Sequence, residues 1–254
     1  MLSKQHPIEE LYRLAAIYNS CKNTKPAGEI LDDYLREEEH APSKTYDKAL
    51  NLVRKCLDMG HESPLEHLSM TFDIQGVSRV CTHQLVRHRL ASYTQQSQRS
   101  TAFLTADSMI VPESVKKWIR QGGRDCAQMV QDSFNLYSTL VAAGVPKEDA
   151  RFLCPEGVIT NIVMTMNLRE LLHFFRERLC GAAQWEIRHV CMLLHEHVLN
   201  IYPWLSPYAG PKCQDTDHCL CGRKEKCAIG KYWKEPESFI HDLNAEACDD
   251  TPSY

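Results

Sequence analysis

The stretch Gln84-Leu-Val-Arg-His-Arg-Leu-Ala-Ser-Tyr-Thr-Gln-Gln-Ser-Gln-Arg-Ser100 decides how the rest of the chain is read. It holds three arginines, one histidine, three serines, one threonine and four glutamines, with no acidic side chain. Arg87, His88 and Arg89 stand together, and Ser97 and Arg99 follow after seven intervening residues and nine, respectively. Guanidinium groups make forked, charge-assisted bonds to phosphate, and hydroxyls and amides add neutral ones. The composition is that of an anion site. A solvated basic turn is the plainer reading, but ordinary exposed faces mix Lys with Glu, and this one does not.

Upstream, residues 69–75 alternate, with Met70, Phe72 and Ile74 on one side, which predicts a half-exposed strand. A helix follows from Ser78, with Val80, Cys81 and Leu85 inward and Arg79, His83 and Arg87 recurring at i+4 on the other face. Gln84 and Arg87 are one turn apart and can address one ligand. The basic tripeptide leaves the end of this helix, and residues 92–100 continue as an extended or looped segment. Before the strand, Ser63, Pro64 and Glu66 occupy the N-cap, N1 and N3 positions of a capping box. The helix start also offers amides to an anion. Helices are expected over residues 7–21 and 45–59, the second closed by Gly60, with a loop and a short helix between them.

Downstream, residues 113–144 form an amphipathic helix broken at Gly122-Gly123. Residues 158–166 are apolar and β-branched and fit a buried strand or helix. Asn167 caps a helix with Glu170 at N3; Leu171, Leu172, Phe174 and Phe175 are core, and Arg169, His173 and Arg176 share a polar face. Arg178 ends that face, and a last helix covers residues 184–200.

The chain has 254 residues, 43% hydrophobic and 24% charged, with a net charge of −4. These are values of a soluble globular protein, and the slight acidic excess argues against general binding to macromolecular nucleic acid. No apolar run approaches the ~20 residues of a membrane span, and the N-terminus lacks the apolar core of a secretory signal, so a cytoplasmic location is expected. Of twelve cysteines, eight are scattered through apolar patterns as small buried residues of a reducing compartment. Cys213, Cys219, Cys221 and Cys227 cluster, and four thiolates in fifteen residues could hold a structural zinc. Their spacing departs from the usual paired C-x2-C, and a disulfide or free thiols are the alternatives. The chain has neither a G-x-G-x-x-G fingerprint nor a G-x4-G-K-[ST] loop.

Arg-His-Arg, seven residues and Ser, with Gln84 before and Arg99 after, resembles the signature of the flavin-dependent thymidylate synthases. Gly60-His61-x-Ser63-Pro64-x-x-His67 resembles that family's G-H-x-[ST]-P-x-x-H element, and Ala150-Arg151 before Pro155 its Ala-Arg-x-x-x-Pro element. Asn167-x-Arg169, Arg178 and Gln184-Trp185-Glu186 match its later motifs. The likeness covers most of residues 45–205. It implies an α+β fold, a twisted and mainly antiparallel sheet flanked by helices, over residues 1–210 as one catalytic domain, with residues 211–254 a Cys-rich extension. It also implies a homotetramer with sites shared between subunits. The implied reaction is reductive methylation of dUMP to dTMP with 5,10-methylenetetrahydrofolate and NADPH as co-substrates and FAD as cofactor.

By the same resemblance, Gln84, Arg87, Gln95, Gln96, Ser97, Gln98, Arg99 and Arg151 bind dUMP. His61, Ser63, Arg87, His88, Arg89, Gln95, Asn167, Arg169 and His173 bind FAD. Arg178 lies over the pyrimidine and is the catalytic residue. Many members carry Asn-Glu where this chain has Thr94-Gln95, and often an aromatic at Ser100. Two rivals remain at this point: a non-catalytic nucleotide- or RNA-binding paralogue using the same basic pocket, and a synthase working through a cysteine such as Cys81 or Cys180.

Overall fold

The computed structural model describes residues 6–100, 108–123, 127–213 and 227. Three helices open the chain: α1 (Pro7–Ser20), α2 (Ala27–His40) and α3 (Pro42–Asp58). Pro7 and Pro42 sit in the first turns of α1 and α3, where a missing N–H costs nothing. Leu11, Leu14, Ala15 and Tyr18 of α1 are buried while Ile8 is exposed, and Tyr12 joins the buried set, stacked on Tyr34 of α2 at 5.6 Å. Helix α2 is longer than its sequence suggests. Among acidic residues, only Ile30 and Tyr34 are buried, and that i, i+4 pair, with partly buried Leu31 and Leu35, fastens it to the core. At the end of α3, Gly60 takes φ +77° and donates to Leu57 O (2.8 Å), while His61 donates to Cys56 O (2.9 Å). That is a Schellman closure, and it aims the chain toward the sheet.

Residues Ser63–His67 form a 3-10 turn in which Ser63 makes no capping bond and Glu62 stands at the cap position. The expected capping box does not form, because Glu66 turns outward to pair with Arg169. Three antiparallel strands follow: β1 (Ser69–Ser78), β2 (Ala91–Gln95) and β3 (Ile159–Asn167), in the order β1-β3-β2. The ambiguous apolar run is thus the central strand. Met70, Phe72, Ile74, Ile162, Met164 and Met166 face one side and join a core with Phe174 and Phe175. Gly76, at φ +67°, allows the register shift in β1, and its N–H donates to Asn161 Oδ1.

Helix α4 (Arg79–Leu85) is capped by Ser78, whose Oγ accepts from Cys81 N–H. Cys81 and Leu85 are buried as expected, but Val80 is 36% exposed. Helices α5 (Glu113–Arg120) and α6 (Ala127–Ala142) flank the Gly122-Gly123 break. The short α7 (Lys147–Ala150) runs into a 3-10 turn at Arg151–Leu153. Helix α8 (Leu168–Arg178) is capped by Asn167, and α9 (Trp185–Ile201) by Gln184. The architecture is α+β. Among the described residues no helix is long and apolar enough to cross a membrane.

Candidate active site

Strand register sorts the candidate residues into two groups. Ser69 pairs with Asn167 and Ala91 with Met166, so one sheet end gathers the start of β1, the start of β2 and the end of β3. That end receives residues 61–67, 87–89 and 167–173. Ser78 pairs with Ile159 and Gln95 with Ile162, so the other end gathers the start of α4 and the exit of β2. That end receives Arg79 and residues 95–99. At roughly 3.3 Å per residue, β2 holds the two ends about 13 Å apart.

At the second end, Arg79 Nη2 donates to Gln96 O at 2.8 Å. Its Nε is buried and unbonded, and so is Nε2 of Gln98. Burial, then the charge of Arg151, lower the Arg79 pKa. Arg151 itself donates from Nε to Glu148 O (3.2 Å), and Arg99 pairs with Glu148 at 2.8 Å. Two guanidiniums and two buried unpaired donors are what a phosphate satisfies. Ser97 Oγ accepts from Arg99 N–H at 3.2 Å. Gln96 N–H donates to Asn161 O at 2.9 Å, tying this loop to β3. Gln95 Nε2 donates to Thr82 Oγ1 (2.9 Å), and that hydroxyl donates onward to Arg79 O (3.1 Å). The threonine proton is already used, so its oxygen needs a donor. An amide supplies one and a carboxylate does not, which accounts physically for Gln at this position.

At the first end, His61, Ser63, Arg87, Arg89, Arg169 and His173 are exposed. Among the described residues, the guanidiniums of Arg87 and Arg89 make no hydrogen bond or ion pair, and half-buried Gln84 on α4 sits one turn before Arg87. Tyr18 Oη donates to His61 O at 2.5 Å and anchors that loop. Arg169 pairs with Glu66 and, at 3.5 Å, with Glu62. Asn167 Oδ1 is engaged as the cap of α8, accepting from Glu170 N–H at 2.9 Å.

His88 behaves differently from its neighbours. It is only 6% exposed, and its ring packs edge-on against Phe174 at 4.9 Å. Arg178 Nε donates to His88 Nε2 at 3.1 Å, and His88 Nδ1 lies 3.4 Å from Oε1 of Glu170. Burial first, then the charges of Arg178 and His173, push the His88 pKa down to about 4. The ring is neutral near pH 7, so its contact with Glu170 is polar but not an ion pair. Both ring nitrogens therefore face protein groups.

Arg79, Thr82 and Glu170 belong to these clusters and were not singled out as binding residues from the sequence. Only the i+4 recurrence of Arg79, His83 and Arg87 hinted at the first. Of the thiols, Cys81 is fully buried, and burial and the nearby Glu186 push its pKa up to about 12, so it is not a thiolate at neutral pH. Among the described residues no group of three or more His, Cys, Asp or Glu side chains could hold a metal ion. Cys219 and Cys221 lie outside the described residues, so the proposed four-thiol set is not seen as a whole.

Residues 9–204 match the family described as thymidylate synthase complementing protein. The flavin-dependent thymidylate synthase of Sulfolobus acidocaldarius is 45% identical over 175 residues, which are 68% of this chain and 66% of that protein. That of Pyrococcus furiosus is 45% identical over 174 residues, 65% of this chain and 70% of that one. That of Geobacter sulfurreducens is 44% identical over 185 residues, 71% of this chain and 76% of that one. A match over this much of the chain, covering both ends of the sheet and the helix that carries Arg178, leads to one conclusion: the chain belongs to the flavin-dependent thymidylate synthase family.

Proposed function

We infer that this protein catalyses the reductive methylation of dUMP to dTMP, with 5,10-methylenetetrahydrofolate as one-carbon donor, FAD as redox cofactor and NADPH as reductant. The observation that carries the reading is the pair Arg79 and Arg151 with the buried, unbonded Arg79 Nε and Gln98 Nε2, a set of donors suited to a phosphate in a chain of this family. Gln84, Gln96, Ser97 and Arg99 add neutral and charged donors for the nucleotide.

The other sheet end fits the cofactor. Its donors are cationic or neutral, from Arg87, Arg89, His61, Ser63 and His173, as a diphosphate and a polyhydroxyl chain require. Arg169 would exchange Glu66 and Glu62 for the flavin nucleotide. Bound FAD would carry the electrons from NADPH and take part in one-carbon transfer. Arg178 would hydrogen-bond the uracil carbonyl and stabilise negative charge on the ring, raising nucleophilicity at C5 without a protein thiol. The high pKa of Cys81 supports a reaction without a thiolate.

β2 holds the two groups about 13 Å apart within one chain, so a nucleotide touching both Arg87 and Ser97 is readily shared between subunits, in keeping with a homotetramer with shared sites. The test is to purify the protein, record its absorption spectrum, and measure dTMP formation from dUMP, methylenetetrahydrofolate and NADPH. A yellow protein that forms dTMP is expected. A colourless protein with salt-sensitive RNA affinity and no dTMP would overturn the reading.

A further inference from the structure

Glu170 occupies the N3 position of α8, but the cap there uses only its backbone N–H. Its side chain is buried (7% exposed) among apolar neighbours of α8, where an apolar residue of equal volume would avoid the cost of burying a carboxylate. Burial raises its pKa. The polar group it meets is His88 Nδ1, at 3.4 Å.

The bonding of His88 fixes its tautomer without reference to any titration. Arg178 Nε can only donate, so His88 Nε2, at 3.1 Å, is the acceptor. A neutral imidazole has one donor and one acceptor, so Nδ1 carries the hydrogen, and Glu170 Oε1 is the acceptor 3.4 Å from it. The rest of the residue is held too. Tyr93 Oη donates to His88 O at 3.0 Å and to Leu85 O at 2.9 Å, and Phe174 fixes the ring plane. The charged and titratable groups around the ring are Arg178, His173, Glu177 and Glu170.

We propose that Glu170 is a positioning residue: through His88 Nδ1–H it selects the tautomer whose Nε2 accepts from Arg178, and so aims the two terminal amino groups of Arg178 at the pyrimidine. The proposal rests on the role given to Arg178 above. Arg178 has five N–H donors, and committing Nε–H to His88 leaves the planar pair of terminal groups for a ligand. Without an acceptor at Glu170, the Nδ1–H tautomer strands a buried donor. The alternative Nε2–H tautomer sets a donor against the Arg178 Nε–H. Either way the guanidinium loses its fixed plane.

Two variants separate positioning from packing. Glu170→Gln keeps an acceptor, and Glu170→Met keeps the volume without one. With flavin content and circular dichroism unchanged, kcat should fall by roughly 10- to 100-fold in Glu170→Met, the range for a misaligned catalytic group. The KM for dUMP should move little, since the phosphate donors lie at the other sheet end, and Glu170→Gln should stay well above Glu170→Met. Solid-state 15N spectra of histidine-labelled protein, assigned with His88→Asn, report the tautomer directly. Nδ1–H is expected in wild type and Glu170→Gln, and its loss in Glu170→Met. Equal activity of the two variants, or an Nε2–H tautomer in wild type, overturns the proposal. If the wild-type protein makes no dTMP, the functional reading fails by itself and the tautomer still tests the positioning. If neither variant folds, the wild-type tautomer decides alone.

Discussion

Replacing Arg178 by Lys keeps the charge and discards the geometry. In the structure Arg178 Nε donates to His88 Nε2 at 3.1 Å. In lysine that position is a methylene, so the His88 lone pair loses its donor in a site where the ring is only 6% exposed. Leaving a buried acceptor unpaired costs about 1–3 kcal/mol. The lysine ammonium then sits where the guanidinium carbon was, with no planar pair of donors to set against a carbonyl. Transition-state stabilisation of the kind assigned to Arg178 is worth about 3–4 kcal/mol, or roughly 10²–10³ in rate. Arg178→Ala and Arg178→Lys should therefore lose dUMP methylation to a similar degree, with flavin still bound through Arg87, Arg89 and Arg169. The assay compares dUMP-dependent dTMP formation with NADPH oxidation by the bound flavin in each variant. Near wild-type methylation in both would reduce Arg178 to a surface arginine and sink the argument.

Arg89→Ala should weaken flavin binding by roughly ten- to a hundredfold, the equivalent of about 1.5–3 kcal/mol for one charge-assisted bond; full flavin content in a correctly assembled variant counts against it. Ser97→Ala should keep measurable dTMP formation with weaker dUMP binding, and a covalent nucleotide adduct trapped on Ser97 would show the opposite role. Glu186, buried in the first turn of α9, accepts from Ser78 N–H at 2.7 Å and from Ser78 Oγ at 2.5 Å. Glu186→Ala should cost about 3 kcal/mol and lower Tm by roughly 6–12 °C at fixed protein concentration, and Glu186→Gln clearly less; equal, small shifts would show that the link carries no stability. His88 has its folded pKa near 4, below the unfolded 6.5, so the unfolded state takes up the proton first as pH falls. Stability should therefore drop between about pH 6.5 and 4, and the drop from pH 7 to pH 5 should be smaller in His88→Asn; identical slopes would place the proton elsewhere.

The strand at 69–75 was legible because its alternation survives intact: Met70, Phe72 and Ile74 all face the core. The run at 158–166 was not, because Ile, Val and Met at six of nine positions, on both faces, blur the period. Only pairing with β1 on one side and β2 on the other makes it a strand. Helix α2 was underestimated for the opposite reason, since two buried residues in fourteen leave no period to find. In the site, the basic tripeptide and the cap at Asn167 were readable as local patterns. The inward turn of His88 and its contacts with Arg178 and Glu170 were not, because each joins residues some eighty to ninety positions apart. Glu170 was hidden further, since an acid at N3 already has a sufficient explanation as a helix cap.

What sets the chemistry of this site is how few of its polar groups are left over once the fold has used the rest. Asn167 caps α8, Gln95 satisfies Thr82, and His88 is held between Arg178 and Glu170. Those bonds fix the elements that carry the other donors, and they leave Asn167 Nδ2 and Gln95 Oε1 uncommitted. Asn167 orients the helix bearing Arg169 and Arg178, and Gln95 ties the exit of β2 to α4 near Arg79. Among the described residues, the guanidiniums of Arg87 and Arg89 at one sheet end, and Arg79 Nε and Gln98 Nε2 at the other, have no such duty. These four groups are donors, and at both ends arginines supply the charge. Among the described residues, acidic partners of these arginines are Glu148 at Arg99, and Glu62 and Glu66 at Arg169, all in exposed pairs that an incoming phosphate can displace at little cost. A fold that spends these acceptors internally and keeps guanidinium donors at the two ends of one short strand supports the proposal of an anionic nucleotide at each end.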